Sequence, residues 1–233
     1  MYHSIQFGGK NTWDDWHLIP TSRPLFNPPQ VKTNTIEIPG GDGVLDLTTS
    51  LAGRPTYSNR TGSFEFAVEN DYRDWAVLFS EIMAYLHGQA MRAILVDDDP
   101  EYYYEGRFSV NTWKSDPGYS KITIDYSVGP YKKAVNDEDW LWDPFNFERD
   151  IVREYRNKEV NGTLDMLVLG DMYTTIPTIT SSVEDMQVTL GSITHSLSAG
   201  TNWFPDFVLQ NGENWFKFKG NGIVSIEFIR GRL

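Results

Sequence analysis

The sequence lacks cysteine altogether. This absence excludes disulfides, thiolate metal sites and cysteine nucleophiles. Histidine is scarce as well, and its four positions show neither the His-x-x-x-His nor the His-Glu-x-x-His spacing of a zinc site: His3, His17, His87 and His195. We therefore expect no bound metal and no cofactor.

Several sequence signatures of enzymes are also missing. No serine lies in a Gly-x-Ser-x-Gly elbow, and no Gly-x-x-x-x-Gly-Lys-Ser/Thr phosphate loop occurs. The glycine-rich segment Pro39–Gly43 leads into the strand-like Val44–Leu47, whereas a phosphate-binding loop would lead into a helix. We read that segment as a turn. With no catalytic constellation in the sequence, we predict that the chain is not an enzyme.

Basic residues are few compared with acidic ones. The net charge is −12, with 20 basic and 32 acidic residues, and it divides as −5 over residues 1–133 and −7 over residues 134–233. Neither half offers the Lys/Arg surface that neutralises phosphates, which argues against binding to nucleic acid or to an anionic membrane. No apolar run approaches the roughly 20 residues that cross a bilayer. The N-terminus lacks the basic and apolar pattern of a secretory signal, so we expect synthesis in a cytoplasm.

Apolar and aromatic residues are plentiful, at 40% and 14% of the chain, and their spacing predicts the fold class. Gly62–Val68 and Tyr119–Val128 alternate between apolar and polar residues, as half-buried strands do. Tyr72–His87 instead carries an apolar stripe at helical spacing, follows an N-cap candidate at Asn70-Asp71, and ends before Gly88. The sequence therefore predicts a mainly β protein with one long helix.

A change in composition suggests two domains. Residues 129–139 are polar, charged and rich in turn formers, which is typical of a linker. We place a β-rich domain with one helix at about 72–87 in residues 1–133, and a β-sandwich in residues 134–233. Turn signals every 8–15 residues in the second half support the sandwich. No repeat with a fixed period is apparent.

An acidic turn followed by three tyrosines is the first candidate site. Asp97-Asp98-Asp99-Pro100-Glu101 lacks the ligand spacing of an EF-hand loop, so it is better read as a solvated turn than as a calcium site. In the strand that follows, Tyr103 should face opposite to Tyr102 and Tyr104, so at least one of the three tyrosines is expected to be exposed or at an interface. We select Asp97, Asp98, Asp99, Tyr102 and Tyr104 as a candidate protein interface.

Two tryptophans in the second half form the other candidate site. Trp203 and Trp215 lie beside Asn, Gly and Asp residues. An exposed tryptophan can cover the apolar face of a sugar while neighbouring amides bind its hydroxyls. A place in the core or in a protein interface accounts equally well for large aromatics. Both interpretations stay open from the sequence.

Several short motifs are distributed over nearly the whole chain. Examples are Phe7-Gly-x-x-Asn-Thr-x-x-Asp-Trp-x-Leu-Ile-Pro20 and Trp140-Leu-Trp-Asp-Pro-Phe-Asn-Phe147. The other motifs lie in the segments Ile38–Thr48, Tyr57–Phe66, Tyr85–Gly88, Asp98–Arg107, Gly129–Lys132 and Gly220–Leu233. In their order and spacing these motifs resemble the distal tail (Dit-like) proteins of long-tailed siphophages.

The resemblance implies a structural role at a phage tail tip. Six copies of the N-terminal domain would form a ring around the tail channel, and the C-terminal domain would be a galectin-like or carbohydrate-module-like β-sandwich. The homohexameric ring would join the tail tube protein to the tail-associated hub or lysin protein and could anchor receptor-binding proteins. Asp97, Asp98, Asp99, Tyr102 and Tyr104 would then lie at a ring or partner interface. The chain would be made in the host bacterial cytoplasm and located at the virion tail tip.

Two other functions are compatible with parts of the sequence. The first is a lectin-like module that binds host cell-wall sugars through Trp203 and Trp215. The second is an enzyme that cleaves glycans or peptidoglycan, which would require a carboxylate pair or a metal site that the sequence does not reveal.

Overall fold

The computed structural model describes residues 3–50, 52–116, 118–135 and 154–233. It divides into two compact units, residues 1–132 with Leu233 (unit 1) and residues 133–232 (unit 2). That these units are domains that fold independently, with a boundary at residue 133, stays a prediction. The motif Trp140–Phe147 lies outside the described residues. Within the described ranges, no helix has the length and apolar character needed to span a bilayer.

Unit 1 consists of antiparallel strands and one helix. In chain order its described elements are β1 (Ile5–Phe7), β2 (Lys10–Asn11), β3 (Leu18–Pro20), β4 (Thr35–Glu37), β5 (Val44–Asp46), β6 (Arg60–Val68), α1 (Trp75–Leu86), β7 (Gln89–Leu95), β8 (Asp99–Asp116) and β9 (Tyr119–Val128). Seven of the strands form a sheet in the order β2-β1-β7-β8-β9-β6-β3, while β4 and β5 pair only with each other.

The core of unit 1 lies between this sheet and α1. In β9 every second side chain from Ser120 to Val128 is buried, as the alternating sequence predicts. Along α1 the buried side chains recur at intervals of three and four residues, which places them on one face of the helix: Trp75, Leu78, Ile82 and Leu86. They join Ile5, Phe7, Phe66, Phe108 and Ile122 in one apolar cluster.

The helix begins three residues later than the sequence predicts. Its N-cap is Asp74, not Asn70 or Asp71. Asp71 instead accepts the backbone N–H of Arg73 at 3.2 Å and pairs with the Arg73 guanidinium, and its carbonyl accepts the N–H of Asp74. These bonds close a tight turn ahead of the helix, because a short Asp side chain competes readily for neighbouring backbone N–H groups.

Unit 2 contains the remaining strands. They are β11 (Lys158–Gly170), β12 (Thr178–Ser181), β13 (Met186–Leu190), β14 (Ile193–Leu197), β15 (Gly200–Trp203), β16 (Gly212–Glu227) and β17 (Gly231–Arg232), with β10 (Lys132–Ala134) at the border of the two units. Six of them form a curled antiparallel sheet in the order β14-β13-β16-β12-β15, with β11 along the other edge of β16. The mainly β fold class with a single described helix is confirmed.

The long strand β16 organises unit 2. Residues 212–224 of this strand pair with β11 on one side, while on the other side residues 216–219 pair with β13 and residues 224–227 pair with β12. Between these two stretches lies Gly220 at φ +133°, a conformation open to glycine, and a Cβ there would lie 2.7 Å from the Met186 side chain. On either side of this glycine β16 pairs with a different strand, and the curled sheet encloses a core that includes Val168, Phe216 and Phe218.

Candidate functional site

The acidic turn between β7 and β8 is occupied by contacts within unit 1. Asp97 accepts the backbone N–H of Ser4 at 2.8 Å. The Asp98 carboxylate is buried, 3.1 Å from the His3 ring and 2.6 Å from Nε of Arg23. Asp99 pairs with Lys132 at 2.7 Å. These carboxylates fasten the N-terminal segment and the end of unit 1 to the β7–β8 turn.

The tyrosines that follow are buried within the chain, so the expected exposure is wrong, while a place at an interface stays a prediction. Tyr102, Tyr103 and Tyr104 expose 6%, 4% and 7% of their surface. Cationic side chains from distant parts of the sequence cover the strand: Lys132 lies 4.3 Å from the Tyr102 ring centre, and Arg92 lies 4.4 Å from that of Tyr103. The sequence pattern of β8 does not show that both faces of the strand are covered. Exposure, the reason for selecting this segment as an interface, is therefore absent.

Tyr104 shows the chemical effect of this burial. Its ring stacks on Phe26 at 4.0 Å between centres, and the Arg60 guanidinium lies 5.5 Å from its centre. Burial raises the pKa of the Tyr104 phenol above its ordinary value of 10.0, against the opposing effect of Arg60. Burial likewise lowers the pKa of Arg60.

An amphipathic hairpin, β4–β5, has no covered face. Ile36 and Leu45 are directly opposed in register, and Ile38 lies two residues further on the same face. All three are about half exposed, and every residue of both strands is solvent-accessible. The predicted turn at Pro39–Gly43 joins the strands, with Gly40 and Gly43 at positive φ. An isolated two-stranded hairpin is marginally stable in water, so its uncovered apolar face is a candidate contact surface.

Both tryptophans of the second candidate site are exposed. Trp203 at the end of β15 exposes 58% of its surface, and Trp215 near the start of β16 exposes 56%. The structure does not bring them together. Trp203 lies opposite Thr178 on β12, and Thr178 lies opposite Glu227 on β16, twelve residues beyond Trp215 (227 − 215). Trp215 lies opposite Leu167 on β11.

The residue before Trp203 anchors it. The buried side chain of Asn202 accepts the backbone N–H of Ser198 at 2.8 Å. Its amide nitrogen donates to the carbonyls of Ser198 at 2.8 Å and Gly200 at 3.0 Å, and reaches Ile179 O on the adjacent strand at 3.3 Å. Gly200, at φ +92°, makes the sharp turn that these bonds enclose.

The same arrangement recurs before Trp215. Asn214 accepts the N–H of Gln210 at 2.9 Å and donates to the carbonyls of Gln210 at 2.8 Å and Gly212 at 3.0 Å. It reaches Val168 O on the adjacent strand at 3.3 Å, and Gly212 has φ +93°. We call these two arrangements the Asn-Trp corners. The sequence carries the signal as Gly-x-Asn-Trp-Phe, once ending at Phe204 and once at Phe216. The motif is not recognised from the sequence alone, because two copies do not establish a repeat with a fixed period.

The described residues offer little to a metal or to a reaction. They contain no group of three or more His, Asp or Glu side chains arranged to hold a metal ion. An open cleft near the start of α1 includes Glu69, Asp71 and Asp116, and no histidine is among the described residues of its lining. The features that stand out are a bare amphipathic hairpin in unit 1 and two exposed, anchored tryptophans in unit 2. Such features are typical of a binding or assembly protein.

Comparisons with known proteins identify the fold. No protein-family model matches the sequence, and no curated protein matches it. Among solved structures, the Dit (gp 19.1) protein of phage SPP1 aligns with 99% of this chain and 99% of its own, at a TM-score of 0.63 and 16% identity. That protein is described as a paradigm of the hub adsorption apparatus in phages that infect Gram-positive bacteria. The chain therefore has the Dit fold over its full length, and the resemblance to Dit-like proteins is confirmed at the level of the fold.

More distant likenesses are to baseplate chains of phage P2 in the activated conformation, with Ca and with Sr. Each shows a TM-score of 0.39 and 7% identity, over 97% and 98% of this chain and 90% of the other. No further inference is based on them.

Proposed function

We propose that this chain is a structural ring subunit of a bacteriophage tail tip and not an enzyme. The observation that supports this proposal most strongly is the full-length structural match to SPP1 Dit, because one solved structure aligns with both units in the same order along the chain. A structural subunit needs surfaces rather than a reaction centre. In this proposal six copies close a ring, which joins the tail tube protein to the tail-associated hub or lysin protein and anchors receptor-binding proteins.

The β4–β5 hairpin supports self-association in this proposal. A closed ring requires two different complementary surfaces on each subunit. The apolar face of Ile36, Ile38 and Leu45 would be one of them, because the isolated chain leaves it in water. The acidic Asp97–Asp99 turn and Tyr102 and Tyr104 are less suited to the role, since their side chains are already engaged within unit 1.

The test is the solution mass of the purified chain, measured by size-exclusion chromatography with light scattering and followed by negative-stain imaging. Six copies of a 26.7-kDa chain give about 160 kDa, and we expect ring-shaped particles at that mass. A monomer that also stays monomeric with a purified tail tube protein and a purified hub protein would contradict the proposal.

Carbohydrate binding is a second candidate function, favoured by the exposure of Trp203 and Trp215. Tryptophan indoles in water cost solvation free energy unless a ligand or a partner covers them. Ring formation through unit 1 and sugar binding through unit 2 are compatible in one chain. Binding of purified chain to a panel of immobilised oligosaccharides tests this function separately from the mass measurement.

A further inference from the structure

We propose that the two Asn-Trp corners are two separate binding sites for neutral carbohydrate, each built around one indole. The inference rests on the second candidate function, carbohydrate binding, and specifies its sites, its ligand class and the residues that position the tryptophans. Its starting point is the near-identity of the two hydrogen-bond sets around Asn202 and Asn214.

The corners fix the backbone from which each indole projects. Each asparagine side chain ties a turn of the preceding loop to the neighbouring strand, and its own residue is paired in the sheet. Both amides are more than nine-tenths buried. A buried amide with its donors and acceptors satisfied holds local geometry firmly, because any shift would leave polar groups unpaired. The adjoining indole is thereby pre-organised, which lowers the entropic cost of binding.

The surroundings of Trp203 suit a sugar better than a protein. On the outer face of the sheet it is flanked by Thr201 and lies across from Thr178, with Glu227 one strand further. Hydroxyl and carboxylate groups there can hydrogen-bond sugar hydroxyls while the indole covers the apolar ring face. A protein interface core would instead require a contiguous apolar surface around the aromatic anchor.

Trp215 has a similar setting with more charge. Its indole N–H lies 3.3 Å from a Glu213 carboxylate oxygen, which orients the ring edge and leaves the ring faces available. Lys217 follows on the same face and lies 4.0 Å from Asp165 across the strands. Leu167 is opposite and half-buried. One indole surrounded by hydrogen-bonding side chains is again the arrangement that binds a sugar ring.

The strand register and the nearby charges further define the number of sites and the chemical class of the ligand. Twelve residues of β16 correspond to roughly 40 Å of strand at about 3.3 Å per residue, so one sugar ring cannot touch both indoles. The corners are therefore two sites. Because carboxylates lie beside both indoles, Glu213 at Trp215 and Glu227 across the strands from Trp203, anionic polymers are disfavoured and neutral hexose or N-acetylhexosamine chains are favoured.

The test uses the full chain on immobilised hexasaccharides of glucose, galactose and N-acetylglucosamine, read by biolayer interferometry and tryptophan fluorescence. We expect binding to at least one glycan, with a blue shift of the emission. Trp203→Ala and Trp215→Ala should each halve the binding capacity per chain, and the double variant should reduce the signal to that of the bare sensor. Tyr72→Ala is the matched control, because Tyr72 is an exposed aromatic residue of unit 1.

The possible failures are distinguishable. If the wild-type chain binds none of these glycans, both the inference and carbohydrate binding as a function are contradicted. If binding survives in the double tryptophan variant, the function stands and the corners are not its sites. Salt-sensitive binding to an anionic glycan alone would overturn the ligand class.

A second pair of variants tests the positioning role. Asn202→Asp and Asn214→Asp keep the accepting oxygen but lose the amide donors. We expect each to weaken the affinity of its own site severalfold and to lower the fluorescence anisotropy of the neighbouring indole, with no change at the other site. If the anisotropy and the affinity are unchanged in these variants, the asparagines have no role in positioning the tryptophans.

Discussion

Buried polar side chains position the loops of unit 1. Arg60 exposes 5% of its surface, and its guanidinium donates to the carbonyls of Pro130 and Asn27, both at 2.9 Å. The Asn27 N–H in turn donates to the Tyr126 hydroxyl at 2.9 Å. One arginine thus ties the end of unit 1 to an N-terminal loop across β6. The motif Tyr57–Phe66, part of the resemblance to Dit-like proteins, contains this arginine.

The buried phenol of Tyr104 should make unit 1 sensitive to alkaline pH. Burial raises its pKa in the folded state, so as pH rises through 10.0 the unfolded chain loses this proton first. The unfolded state then binds fewer protons than the folded state, and the free energy of unfolding falls with pH. The stabilising contribution is complete below pH 10.0 and declines above it. We expect Tyr104→Phe to make the loss shallower, as measured by urea unfolding on both sides of pH 10.0.

Tyr72→Phe is the control for this prediction, since Tyr72 is exposed in the same unit. An equal loss of stability above pH 10.0 in wild type and in Tyr104→Phe would contradict the prediction. The loss would then be assigned to Tyr126, whose pKa is also raised by burial.

At the residue scale, a local pattern decides only part of a side chain's environment. The exposure of Trp203 and Trp215 excludes a place in the core of the isolated chain, and a sugar contact and a protein interface both stay predictions. Tyr102 and Tyr104 show the opposite case. Arg92 and Lys132 cover this strand from positions 10 or more residues away in the sequence, so no local pattern in β8 reports the cover. Tertiary contacts of this kind override an alternation argument.

At the element scale, long periodic segments are predictable and irregular ones are not. β9 has the predicted limits, and the C-terminal end of α1 lies one residue before the predicted His87. β16 instead continues through Gly220 and Gly222 without interruption, although glycine is unfavourable inside a strand and typical of turns.

The β4–β5 hairpin is the element in which substitutions should affect assembly most clearly. Replacing the opposed pair in Ile36→Ser/Leu45→Ser removes most of its apolar face. Since the hairpin contacts no buried core in the isolated chain, the circular dichroism and thermal unfolding of the monomer should change little. We expect the mass to fall from about 160 kDa toward 26.7 kDa.

Val77→Ser is the matched control for the hairpin, because Val77 is an exposed β-branched residue on α1. Its assembly should equal that of wild type. A double hairpin variant that still forms the full assembly would locate the ring contact elsewhere in unit 1.

At the scale of the whole molecule, each unit has its own apolar core. Unit 1 centres on residues such as Phe7, Phe66 and Phe108, and unit 2 centres on Phe207, Phe216 and Phe218. The exposed hairpin belongs to unit 1 and the Asn-Trp corners belong to unit 2. Assembly and ligand binding are therefore expected in different units. In the proposed ring of six copies, two sites on each copy would give about twelve sugar sites per ring. Many weak sites on one particle bind a polymer far more strongly than one site does.

This separation predicts how core truncations divide between the units. Phe108→Ala and Phe216→Ala remove equivalent, fully buried rings from units 1 and 2, each at a cost of about 3–5 kcal/mol. In scanning calorimetry we expect two transitions, with Phe108→Ala lowering one and Phe216→Ala the other. At temperatures where both variants are folded, Phe216→Ala should keep the ring mass and weaken glycan binding at Trp215, because Asn214 and Trp215 lie on β16 beside Phe216. Phe108→Ala should weaken the ring and leave glycan binding unchanged.

A single calorimetric transition that both variants lower equally would show that the two units unfold together, and the predicted domain boundary at residue 133 would be wrong.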